Sequence, residues 1–165
     1  MDECFSPEAE WLLPTFEGMR HSADAASFAT LDQRCRRLFD WWASFAPEVP
    51  SRDAFDILLF PRLAGVLFLT ERMGPGRFCS RIQGEDIRYL LGRDRWPAEF
   101  AGTDSGVIAN VAANYERCIE RLMPFRFEGP ITAFDKAHAQ IQGVALPLVA
   151  AGGRNPYILG CLVRV

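Results

Sequence analysis

The sequence is short of several things, and each shortage excludes a class of function. Lysine is nearly missing: Lys136 is the single lysine among 18 basic residues, against 21 acidic ones, for a formal charge of -3. With no basic excess there is no electrostatic footprint for a nucleic acid or an anionic membrane surface. Paired cysteines are missing too. Cys4, Cys35, Cys79, Cys118 and Cys161 are an odd count, widely spaced, with no CxxC step and no Cys/His cluster of zinc spacing. They read as reduced thiols, which points to a cytoplasmic protein. The beginning MDECFSPEAEWLLP lacks the basic-then-apolar order of a secretory signal. Long apolar runs are absent: LLFPRLAGVLFLT and GVALPLVAAGG are broken by proline, arginine or glycine before they reach membrane length.

What is present is a chain of 165 residues, 49% hydrophobic, enough for one globular domain with a core. Residues 1 to 29 carry Pro7, Pro14 and Gly18 without a sustained period and read as a loosely held arm, whose order would depend on contacts with the body or a partner. The domain proper is read over 30 to 165. Thr30 and Gln33 have capping-box spacing, and Leu31, Cys35, Leu38, Phe39, Trp42 and Phe45 recur at helical intervals before Pro47. A short helical piece is expected in DAFDILLF. A strand is expected over 64 to 72, then turn chemistry in MGPG and a returning strand RFCSRIQ, in which Cys79, Arg81 and Gln83 share one face.

At Gly84 the alternation gives way to a helical rhythm, Ile87, Leu90 and Leu91, stopped by Gly92. RDRWPAEFAG reads as a connection. A longer helix, capped by Thr103 or Ser105, carries Ile108, Val111, Ala112, Tyr115, Ile119 and Leu122 on one stripe up to Pro124. Three extended stretches follow, FRFEGPITAF, AQIQGVALPLVA and PYILGCLVRV, with AGGRN as the last hairpin turn. Two strands, a helical insert and three strands describe an α+β fold with a five-stranded antiparallel sheet.

That order is similar to the PAS fold. Leu38, Trp41 and Trp42 end the first helix in a bulky aromatic segment. Pro50, Arg52, Phe55 and Asp56 form a proline, arginine, aromatic, aspartate run, and Arg81 precedes Gly84 at a strand end. Leu91 and Gly92, then Leu146, Pro147, Leu148 and Gly160, complete the set. Together these residues resemble the bacterial single-domain PAS family found mostly in alphaproteobacteria. Glu85 and the segment DRWPAEF depart from that family's pattern at the mouth of the expected cavity.

The resemblance implies a pocket between the helical insert and the inner sheet face. Phe68, Arg81, Tyr89, Tyr115, Ile119 and Leu148 are its candidate lining residues, and a slip of one residue in a strand would reverse the choice. Arg81 has two readings: a bidentate holder of a carboxylate or phosphate, or one half of an internal ion pair with Glu85, Asp86 or Asp56. The apolar surplus of the first helix, Leu38, Trp41, Trp42 and Phe45, is either a homodimer or partner seam or is covered by residues 1 to 29.

Flavin chemistry is disfavoured, because Cys79 sits on a strand without the asparagine and helix context of photosensory relatives. Haem is disfavoured because neither His21 nor His138 has both an apolar pocket and a fixed element. The expectation is therefore a cytoplasmic, non-catalytic sensory or regulatory module that binds a small ligand, a signalling partner, or both. With no kinase, cyclase or DNA-binding segment in sight, its output is expected to pass by contact. The competing expectations are a small enzyme using Asp135 and His138 on a hydrophobic substrate, and a ligand-free interaction domain.

Overall fold

The computed structural model describes residues 11–92, 96–131 and 136–165. Its strands are β1 (Arg20–Ser22), β2 (Leu67–Gly74), β3 (Arg77–Gln83), β4 (Glu99–Ala101), β5 (Phe125–Ile131), β6 (Lys136–Leu148) and β7 (Tyr157–Arg164). Its α-helices are α1 (Gln33–Ala43), α2 (Glu85–Leu91) and α3 (Gly106–Arg121). The protein is α+β, and among the described residues the strands form one antiparallel sheet in the order β1-β5-β6-β7-β2-β3-β4.

The sheet has seven strands where the sequence reading gave five. The five expected strands occupy its centre as β5-β6-β7-β2-β3, and the additions are the two short edges. Arg20–Ser22 pairs with β5 from the segment read as a loose arm, and Glu99–Ala101 pairs with β3 from the segment read as a connection. Both are three residues long, too short to announce themselves by alternation, and their pairing comes from the tertiary neighbour.

β6 and β7 run through the middle and are buried on both faces, which explains their nearly continuous apolar text. Their alternate residues feed two cores. Val144, Leu146, Leu148, Leu159, Cys161 and Val163 face α1, together with Leu67 and Leu69 of β2. Ile141, Ala145, Ile158 and Leu162 face the opposite way, towards α2 and α3. The last hairpin turns at Gly152 and Gly153, both at positive φ (59° and 79°), the geometry a tight two-residue turn requires.

Local details correct the sequence reading at several points. The N-cap of α1 is Asp32, whose carboxylate accepts from Arg34 N at 3.0 Å, so the Thr30/Gln33 capping box does not form. Residues 64–66 belong to a 3-10 segment, Pro61–Val66, and the strand starts at Leu67. The short helical piece expected in DAFDILLF takes the form of two 3-10 turns, Arg52–Ala54 and Ile57–Leu59. α3 does start after Ser105, although that side chain makes no capping bond. Leu122, expected on the buried stripe, is exposed and left-handed (φ 53°) as the C-cap.

The aromatic surplus of α1 is largely absorbed within the chain. Leu38 is fully buried, and Phe28 stacks on Phe39 with centroids 4.5 Å apart. Trp41 packs edge-on against Phe55 and Phe60, and Trp42 Nε1 donates to the Pro147 carbonyl at 2.8 Å. Phe45 remains at the exposed margin. On the other face, Arg72 of β2 makes a two-point ion pair with Glu116 of α3 (2.8 and 2.6 Å), and the same carboxylate accepts from Gly76 N in the hairpin turn. The guanidinium holds the Glu116 carboxyl below its usual range. This pair fastens the first hairpin to the long helix. Among the described residues no helix is long and apolar enough to cross a membrane.

Candidate functional site

The site begins at Gly84. A Cβ there would strike the Gly65 carbonyl, so only glycine lets β3 end this close to the preceding backbone. Its amide donates to Leu67 O at 2.8 Å, which pins the exit of β3 beside the start of β2. From that point α2 folds back over the sheet, burying Ile87, Leu90 and Leu91. The change of rhythm seen in the sequence is therefore a sharp entry into the helical layer.

Between that layer and the sheet lies a cavity of about 80 Å³. Its floor is aromatic: Phe68 of β2, with Phe125 and Phe127 of β5. Two of these rings lie on glycines of the neighbouring strand. Phe68 is paired with Gly160 and Phe127 with Gly143, and a Cβ at either glycine would run into the ring. The missing side chains thus let the rings lie against the backbone and leave space above them. The wall is made by Ile87 and Leu91 of α2 and by Val111 and Tyr115 of α3.

The remaining side is closed by residues 15–21, which run across the mouth as a strap before entering β1. Thr15, Phe16, Met19 and His21 line the cavity from it. One polar stripe of α3 anchors residues 11–14, which lead into the strap. Asn114, buried, accepts from Leu13 N (2.7 Å) and donates to Leu13 O (2.9 Å). One turn before it, Asn110 donates to Pro14 O at 2.7 Å, and one turn after it Arg117 donates to Trp11 O at 2.6 Å. The sequence reading missed this device. Its signal was available as Asn110, Asn114 and Arg117, polar residues spaced by four and three along one side of the helix.

The lining is uncharged: among the described residues no Asp, Glu, Lys or Arg borders the cavity. His21 Nε2 lies 3.1 Å from Thr15 Oγ1, and burial lowers the imidazole pKa to about 4, so the ring is neutral at pH 7. Burial likewise pushes the Tyr115 phenol up, keeping its proton in place. The site can therefore offer neutral donors and acceptors around an aromatic floor. It presents no charge to an anion or a cation.

Of the six candidate lining residues, Phe68 and Tyr115 border the cavity. Ile119 packs one turn further along α3, against the cluster of Phe78 and Phe100. Leu148 is buried in the core facing α1. Tyr89 lies on the outer side of α2 and is 61% exposed.

Arg81 faces away from the cavity, and the cause is a β-bulge. Leu69 pairs with Ile82 but Thr70 with Ser80, so Arg81 is an extra residue without a partner position. The bulge reverses the alternation beyond it: Ser80 and Gln83 border the cavity, while Arg81 joins Cys79 on the other face. Arg81 there donates to Glu71 at 2.7 Å, an ion pair across the hairpin rather than with Glu85, Asp86 or Asp56. Asp135 and the His138 side chain lie outside the described residues.

No protein-family model matches the sequence, and no curated protein matches it either.

Proposed function

We propose that the chain is a non-catalytic, cytoplasmic sensory or regulatory module of the PAS type, which binds a small ligand in the cavity under the strap and reports occupancy to a partner protein. The observation that carries this reading is the cavity itself, bordered by the sheet, the helical insert and residues 15–21. Two features support the PAS component: the five central strands are antiparallel in the order β5-β6-β7-β2-β3, and the helices are inserted after the first hairpin. The route for a signal is short. The strap that closes the cavity continues directly into β1, at the sheet edge, and into the segment Ala25–Thr30 that packs on α1. A ligand that moves the strap would alter the sheet edge at β1 and the packing of Ala25–Thr30 on α1.

Native mass spectrometry and the absorption spectrum of protein purified from its host test the reading. An excess mass released by denaturation supports a bound ligand, and a visible band would identify a flavin or haem in place of a colourless one. Protein that carries no excess mass and takes up nothing from a host extract favours a filled interior and a purely protein-binding role.

A further inference from the structure

Polar side chains around the cavity are left without protein partners. The hydroxyls of Thr70, Ser80 and Tyr115 and the Gln83 amide border the space and make no side-chain hydrogen bond among the described residues. None is sealed in the interior, where Trp11 Nε1 is the buried side-chain polar atom without a partner among the described residues. The four groups instead open onto the cavity. The protein leaves these groups unused and accessible at one space, so they are available to the polar part of whatever fills it. All four are neutral, and the rest of the lining is aliphatic, aromatic, the neutral His21 and Thr15 pair, or Asn114, whose amide is engaged by Leu13.

Resting on the ligand-binding reading above, we infer that the cavity takes an uncharged, mainly apolar molecule bearing a hydroxyl, carbonyl or amide group, which Tyr115, Thr70 and Ser80 receive while the apolar part lies over Phe68 and Phe127. A carboxylate or ammonium would lose its hydration and find no counter-charge in the lining. Size narrows the class further. A cavity of about 80 Å³ is roughly half of the ~150 Å³ that admits benzene in an engineered apolar cavity. A molecule of a few carbons fits beneath the strap as it stands, and a ring-sized one has to displace residues 15–21.

The test uses propan-1-ol, butan-1-ol and pentan-1-ol against the carboxylates of equal length at pH 7.5, with affinities from methyl NMR shifts of the full chain. The alcohols are expected to bind, each at least tenfold more tightly than its carboxylate. Tyr115→Phe is expected to weaken the alcohols roughly five- to tenfold without lowering the thermal midpoint, because the hydroxyl has no protein partner to lose. Thr70→Val serves the same purpose should Tyr115→Phe fail to fold. Carboxylates binding as tightly as alcohols would overturn the neutral class and leave the cavity reading standing, and unchanged alcohol affinity in both variants would overturn the assigned contacts. Binding of neither series would overturn the cavity reading along with the inference.

Discussion

The ring of Phe68 occupies the place where a side chain at Gly160 would stand. These two residues are direct partners across β2 and β7, and their fit creates the aromatic floor. Gly160→Ala forces the ring upward into the cavity. The expected cost is about 1–3 kcal/mol, the range for overpacking a tight site, read from urea unfolding. Combining it with Phe68→Leu should recover part of that loss, since the smaller side chain removes the conflict; a strictly additive double variant would show that the two do not meet.

Asn114 is the middle clamp on the segment that leads into the strap, and its amide satisfies both backbone polar groups of Leu13. Asn114→Ala leaves a backbone donor and acceptor without a partner, at a cost of about 2 kcal/mol. Hydrogen exchange should locate the damage. Protection is expected to fall at the Leu13 amide and along residues 15–21, with β6 and β7 unaffected. A uniform loss across the sheet would mean that Asn114 supports the core rather than the strap.

His21 gives the fold a dependence on acid. Its folded pKa of about 4 lies below the ordinary 6.5, so burial favours the neutral ring. Its contribution is complete above pH 6.5 and is lost progressively as the pH falls towards 4, because the unfolded chain takes up the proton first. Between pH 7.5 and pH 5 the loss is ~2 kcal/mol. Denaturant midpoints at the two pH values, compared for the natural chain and His21→Gln, check this. The variant should show a much flatter profile over that interval, and an equal slope in both would assign the effect to other groups.

Arg81→Met separates the outer face of the hairpin from the cavity. The guanidinium is exposed and engages Glu71 on the side away from the cavity. Alcohol affinities are expected to be unchanged. A marked fall in affinity with the fold intact would place the guanidinium in the site after all.

The large elements were legible because their signals are local. α2 and α3 show helical spacing between glycine and proline stops, and the central hairpins show alternation in β3 and continuous apolar runs in β6 and β7 around recognisable turns. The site was legible in part: Phe68 and Tyr115 followed from being bulky residues on elements expected to enclose the cavity. Arg81 failed because a single extra residue at the bulge reverses the faces, and nothing in RFCSRIQ marks where that residue falls. The strap was invisible for a different reason. Residues 11–23 have no period of their own, and what holds them is a set of side chains from α3 roughly a hundred positions later.

We propose that this protein meets its ligand in the space beneath the strap. Intermolecular NOEs from bound pentan-1-ol test that most directly. Contacts to the ring protons of Phe68 and Tyr115 and to the methyl groups of Ile87 and Leu91 are predicted. Contacts confined to exposed apolar positions such as Leu58 and Leu59 would contradict it.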